Sequence, residues 1–270
     1  MRTLKGLVNG VVLLCVFWVM PVHATVDWQD GFEYANDAAL GTVWTYSCLG
    51  NPGVSSLRPF SGSKSLRLVY TGHVGPDPGA GGCFIDRNLN GPSETLYTRI
   101  MVYAENFTYD QSVGTKLQHS GEHCCYPSFW WNMPFGSGNL GLSIQGIILD
   151  NGAIDTVQVN GGGNIPQNQW VCMETRITMS TPGVDNGIVQ SWINGVQGIN
   201  ITNQRLRAAM LNQKNNPTAA FRLVRLYTQH GRGVIYYDDF AVSRDARIGC
   251  TGFPPGDIQA PRAPSNFSFR

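Results

Sequence analysis

Gln169-Trp170-Val171-Cys172-Met173-Glu174-Thr175-Arg176-Ile177-Thr178-Met179 is followed, after a short turn, by Gly187-Ile188-Val189-Gln190-Ser191-Trp192-Ile193-Asn194-Gly195-Val196. Two long alternating runs flank a Pro-Gly/Asp-Asn-Gly turn, and the second closes on Asn194-Gly195. An Asn-Gly pair tolerates the positive φ values of a two-residue hairpin turn, so the stretch reads as antiparallel strands. Side chains alternate across a strand, which puts Val171, Met173, Thr175, Ile177 and Met179 on one face. Trp170, Cys172, Glu174, Arg176 and Thr178 share the other. The first face suits a core. The second mixes an aromatic ring, a carboxylate and a guanidinium, a set that can hold a sugar chain on a broad sheet.

On either side of this stretch, strand-like runs punctuated by turns recur near 43–48, 65–71, 95–104, 114–120, 127–132, 140–149, 154–160, 168–179, 187–194, 220–229 and 233–243. Pro76-Asp77-Pro78-Gly79-Ala80-Gly81-Gly82 reads as a long loop and Gly161-Gly162-Gly163 as another break. The one helix candidate is short, around 204–211, with Thr202 or Asn203 as its cap. Many strands with almost no helix predict an all-β chain built as an antiparallel two-sheet β-sandwich.

A basic start at Arg2 and Lys5, an apolar stretch from Leu7 to Met20 and the small residue Ala24 describe a secretory signal peptide. The apolar stretch is short for a spanning helix, which needs about 20 residues. The expected organisation is a leader over 1–24, a folded domain over 25–250 and a Pro-rich tail over 251–270. Losing Arg2 and Lys5 takes the net charge from +1 to about −1, which excludes the basic field of a nucleic-acid binder. Charged residues make up 14% of the chain while Gly alone supplies 32 positions, a balance typical of loop-rich extracellular β proteins. Cleavage would leave Cys48, Cys83, Cys124, Cys125, Cys172 and Cys250, an even set that in an exported chain favours disulfides, with fifteen possible pairings. The chain is therefore expected to be secreted, extracellular or periplasmic, monomeric and free of the membrane once the leader is gone.

Several motifs then converge. Asp27-Trp28-Gln29-Asp30-Gly31-Phe32-Glu33 opens the domain and Tyr236-Tyr237-Asp238-Asp239-Phe240-Ala241-Val242-Ser243 closes it. Between them lie Tyr97-Thr98-Arg99, Lys116-Leu117-Gln118-His119 and the Trp170–Asn194 hairpin. Together these resemble the concanavalin A-like jelly roll of the lectin/glucanase superfamily, and most closely its secreted bacterial polysaccharide lyase-like members. That resemblance implies a concave sheet that cradles a polysaccharide. In the lyase branches a neutralising Arg, Gln, Asn or His offsets a uronate carboxylate, a Tyr, His or Lys takes the α-proton, and the glycosidic oxygen leaves by β-elimination. The logic is general-base catalysis with stabilisation of an enolate-like charge.

Strand parity sorts this chain's candidates. Tyr97, Arg99, Met101 and Tyr103 share one face, and Leu223, Arg225, Tyr227 and Gln229 another. Lys116 and Gln118 share a face, with His119 opposite unless the strand bulges. By resemblance, Arg99 and Gln118 would neutralise the carboxylate, with His119, Lys116 or Tyr227 as base. Tyr97, Trp130, Glu174, Arg176 and Arg225 would contact substrate. The bland alternatives are that Arg99 pairs with Glu174, that the tyrosines pack, and that Trp130 or its neighbour Trp131 is buried.

Other chemistries fit less well. The Glu-x-Asp-x-x-Glu strand of the superfamily's glucanases is absent, so paired-carboxylate hydrolysis is not expected. His119, His123, Cys124 and Cys125 could hold zinc, but disulfides compete for the thiols. The superfamily often shares a structural calcium ion between terminal strands, and Asp30, Glu33, Asp238 and Asp239 occupy matching stations; no other cofactor is expected. The reading is a polysaccharide-active jelly roll that cleaves an acidic, uronate-containing glycan by β-elimination. Its alternative is a non-catalytic carbohydrate-binding or adhesion module on the same fold.

Overall fold

The computed structural model describes residues 24–48, 52–70, 83–109, 115–121, 128–133, 143–147, 156–159, 161, 165–204, 206 and 220–250. Residues 1–23 of the expected leader over 1–24, the expected loop over 76–82, His123, Cys124, Cys125 and the expected tail over 251–270 lie outside them.

Fifteen strands are described: β1 (Val26–Asp30), β2 (Thr45–Cys48), β3 (Gly53–Ser55), β4 (Ser65–Tyr70), β5 (Cys83–Ser93), β6 (Thr95–Tyr109), β7 (Thr115–Gly121), β8 (Ser128–Met133), β9 (Ser143–Ile147), β10 (Thr156–Val159), β11 (Trp170–Thr178), β12 (Gly187–Ile193), β13 (Val196–Gln204), β14 (Phe221–Gln229) and β15 (Gly231–Ser243). The described helix, α1 (Asp37–Leu40), is capped by the Asn36 side chain accepting from the Ala39 N–H. An eight-stranded sheet runs β13-β12-β11-β6-β15-β4-β3, with β1 also paired to β15. A seven-stranded sheet runs β10-β9-β8-β7-β14-β5-β2.

Each sheet is apolar on one face, and the two faces meet. Ile100, Val102, Val171, Met173, Ile177, Ile235 and Val242 enter the core from the eight-stranded sheet. Ile85, Leu117, Trp131, Val224 and Leu226 enter it from the other. Burying large aliphatic and aromatic groups contributes about 1.5–3 kcal/mol each, the main force holding the sheets together. Tyr237 of β15 crosses this core. Its hydroxyl donates to the carbonyls of Leu117 at 3.0 Å and Tyr227 at 2.5 Å, both in the opposite sheet.

The expected hairpin is present. Asn194 and Gly195 adopt φ 49° and 83°, and Ile193 pairs with Val196 across the turn. Its return strand, β13, carries Gly198 and half-exposed polar residues, which masked it as a sequence pattern. It runs to Gln204, so the chain is extended where the helix expected over 204–211 was to begin. Strands β1, β3 and β5 are likewise additions to the eleven expected runs.

Residues 244–250 form a strap over the outer face of the eight-stranded sheet. Glu174 is its anchor: buried, it accepts from Arg247 Nε at 2.9 Å and from the Gly249 N–H at 2.7 Å. The Arg247 guanidinium lies 4.6 Å from the Trp192 ring centroid, and a disulfide joins Cys172 to Cys250. Cys83 is disulfide-bonded as well.

Candidate functional face

Val224 and Leu226 point into the core, so Arg225 and Tyr227 between and beyond them face outward from the seven-stranded sheet. Register carries this outward row across the sheet. Thr45 pairs with Asp86, Asp86 with Arg225, Arg225 with His119, His119 with Trp130, Trp130 with Gln145 and Gln145 with Gln158. Paired residues in a sheet share a face. One line of paired positions thus spans all seven strands, with Thr45, Asp86, Arg225 and His119 as its described side chains.

At its centre the Arg225 guanidinium is clamped by Asp86, with Nη2 2.6 Å from Oδ2 and Nε bonded to Oδ1. Nη1 donates to the Tyr227 hydroxyl at 3.1 Å. The guanidinium carbon stacks 3.7 Å from the Phe84 ring centroid, and the His119 ring lies 6.2 Å from that of Tyr227. Burial works against the charge on Arg225, but the Asp86 carboxylate and Tyr227 outweigh it and keep the group protonated beyond its ordinary range. The fork is thereby held flat, with one nitrogen directed at the phenol oxygen.

Strand β7 decides which of its residues join this face. The register slips between Lys116 and Gln118 against β8, a bulge that turns Leu117 and Gln118 inward together. Lys116 and His119 are left on the outer side. Gln118 is therefore a correction to the expected site: fully buried, its Nε2 donates to Thr98 Oγ1 at 2.9 Å across the sandwich. Thr98 bonds in turn to Thr175 at 2.5 Å, so the glutamine pins the sheets together.

Arg99, Tyr97, Glu174 and Arg176 also stand apart from Lys116, His119, Arg225 and Tyr227. They lie on the outer face of the eight-stranded sheet, the opposite side of the sandwich. Sheets stack about 10 Å apart, so neither group reaches the other's face. Arg99 and Glu174 are cross-strand neighbours, yet Glu174 is committed to the strap, while Arg99 Nη2 lies 3.5 Å from the Asp239 carbonyl. Arg176 bonds Gln190 at 3.2 Å and stacks 5.2 Å from the Tyr97 centroid. Phe84 and Asp86 were missed from the sequence because Phe84-Ile85-Asp86-Arg87 pairs two apolar residues with two charged ones and so shows no alternation, while a Gly-rich run precedes it and Asn90-Gly91-Pro92 follows.

The terminal strands β1 and β15 do pair, but the four acids placed there do not form one calcium cage. Asp30 accepts from the Phe32 N–H at 2.7 Å, from Trp44 Nε1 at 2.8 Å and from the Tyr34 hydroxyl. Glu33 accepts from Ser63 N at 2.8 Å, Ser63 Oγ at 2.6 Å and Lys64 N at 2.8 Å. Asp238 accepts from Phe60 N at 2.8 Å and Asp239 N at 2.7 Å, and Asp239 from Ser61 Oγ at 2.8 Å. Calcium needs six to eight converging oxygens, and these carboxylates instead accept hydrogen bonds in three separate local clusters. Among the described residues the close set of potential ligand atoms is Cys172, Glu174 and Cys250, whose sulfurs are spent on the disulfide.

Two antiparallel sheets packed face to face make the chain a two-sheet β-sandwich of the jelly-roll kind. The solved structures that it resembles have that fold. The PL-14 alginate lyase of Aplysia kurodai matches with a TM-score of 0.60 and 15% identity, over 82% of this chain and 100% of that one. The endo-β-1,4-glucuronan lyase of Trichoderma reesei matches with a TM-score of 0.56 and 16% identity, over 81% and 95%. The cellulose-induced protein Cip1 matches with a TM-score of 0.52 and 15% identity, over 83% and 99%. No protein-family model and no curated relative matches the chain.

Proposed function

We propose that this chain is an exported protein that binds an acidic polysaccharide along the outer face of its seven-stranded sheet and cleaves it by β-elimination. The observation that carries the reading is the joint position of Lys116, His119, Arg225 and Tyr227 on that face, in register with Trp130. Tyr227 is the proposed base. A guanidinium that donates to a phenol oxygen stabilises negative charge there, which favours proton abstraction. Lys116 and His119 are proposed to offset the uronate carboxylate, since Arg225 already answers to Asp86. Two similar structures, an alginate lyase and a glucuronan lyase, support an acidic glycan as substrate. Residues 25–250 are the proposed folded unit, released from the leader at 1–24.

A binding module is favoured by one observation: His119, Arg225 and Tyr227 are each buried to 5% exposure or less. The test is absorbance of unsaturated uronate ends on incubation with alginate and with glucuronan. Tyr227→Phe is expected to lower turnover about a hundredfold or more, the usual weight of a general base. Retention on an alginate gel without any new absorbance would sink the lyase reading and leave the binding module.

A further inference from the structure

At one side of the sandwich, β1, the far end of β5 and the residue following β15 enclose a pocket that the proposed cleavage does not use. Asp27, Trp28, Arg87, Asn88, Asn90 and Arg244 contribute to its wall. Arg87 is held by two contacts, Nη1 to the Val43 carbonyl at 2.9 Å and its guanidinium carbon 5.1 Å from the Trp28 centroid. Neither contact neutralises its charge. Arg244 Nη2 is fixed to the carbonyls of Asn90 at 2.7 Å and Gly91 at 3.2 Å. Its Nε is buried and makes no hydrogen bond, the nearest acid being Asp27 Oδ2 at 3.7 Å. That distance is beyond a real hydrogen bond, and an unmet buried donor is costly unless something else satisfies it.

We propose that this pocket binds a small hydroxylated carboxylate of the size of one uronate sugar. Two guanidiniums face a single carboxylate, so the pocket carries one positive charge in excess. Both forks are oriented by backbone carbonyls, and a planar guanidinium matches a carboxylate better than it matches water. The amides of Asn88 and Asn90, both exposed, offer donors and acceptors together, as sugar hydroxyls require. The Trp28 indole supplies the apolar wall usual in small-molecule sites. None of these residues belongs to the Asp86–Arg225–His119 row, so the site would function whether or not that row cleaves a polymer.

Titration calorimetry of the full chain with D-glucuronate at low salt tests the assignment, with D-glucose and sodium sulfate as comparison ligands. Saturable glucuronate binding is expected, weakened about tenfold or more by Arg244→Gln and by Arg87→Gln. Glucose and sulfate should each bind at least about tenfold more weakly, since each lacks half of the recognised chemistry. Absence of saturable binding, equal affinity for sulfate, or indifference to both arginine variants overturns the proposal. If either arginine variant unfolds, Asn88→Ala, at an exposed position, decides: a severalfold loss supports the site and an unchanged affinity rejects it.

Discussion

Asp238 sits beneath the turn over residues 60–64 with no exposed surface. Burial, the largest influence, pushes its carboxyl up to about 6 despite the N–H groups of Phe60, Ser61 and Asp239. Its folded value lies above the unfolded one, near 3.9. The folded state therefore binds more protons between about pH 4 and 6, and this group's contribution falls as pH rises through that window. Asp245 works in the opposite sense. The Ser243 and Thr25 donors hold its carboxyl down to about 2, so its contribution is present above its unfolded value and lost as pH falls toward 2. Denaturant midpoints measured against pH should show Asp238→Asn removing the rise in stability from pH 6 down to 4 while keeping the acid-side loss. A variant whose profile parallels the parent throughout would refute this.

At the scale of elements, the strap and the β7 bulge do different work. The strap ties the segment after β15 to β11 through a disulfide spanning 78 residues and a buried carboxylate. Cross-linking a loop of that length stabilises mainly by restricting the unfolded chain, typically by about 2–4 kcal/mol. Cys250→Ser should cost that much in denaturant unfolding, with Cys172→Ser costing the same and the double variant no more. Additive losses would show that the two sulfurs act separately. The bulge decides composition: without the extra residue, alternation would return Gln118 to the outer face and send His119 inward.

At the scale of the molecule, Tyr237 joins the sheets directly beneath the proposed site. Its hydroxyl is buried and bonded to the carbonyls of Leu117 and Tyr227, one on each side of the bulged register. Tyr237→Phe removes a donor from both and should destabilise the fold by about 1–3 kcal/mol. Arg99→Ala and Arg176→Ala should leave polysaccharide cleavage within about twofold of the parent, since their side chains sit on the far sheet face. Loss of cleavage in either, with the melting temperature unchanged, would move the site to the eight-stranded sheet.

Much of the architecture was legible along the chain. Alternation placed Val171, Met173 and Ile177 in the core and Trp170, Glu174 and Arg176 outside it, and Asn194-Gly195 announced its turn. These are local consequences of the two-residue period of a strand and of the φ values a turn demands, so a sequence determines them unaided. Which faces come together is a different matter. Arg99 and Tyr227 both read as outward strand residues, but only the packing of the two sheets reveals that they look away from each other. Gln118 and His119 exchange sides through one bulged residue, because a slip in pairing flips the alternation from that point on. Partnership between strands far apart in the chain belongs to the tertiary structure, and with it the make-up of every site built across a sheet.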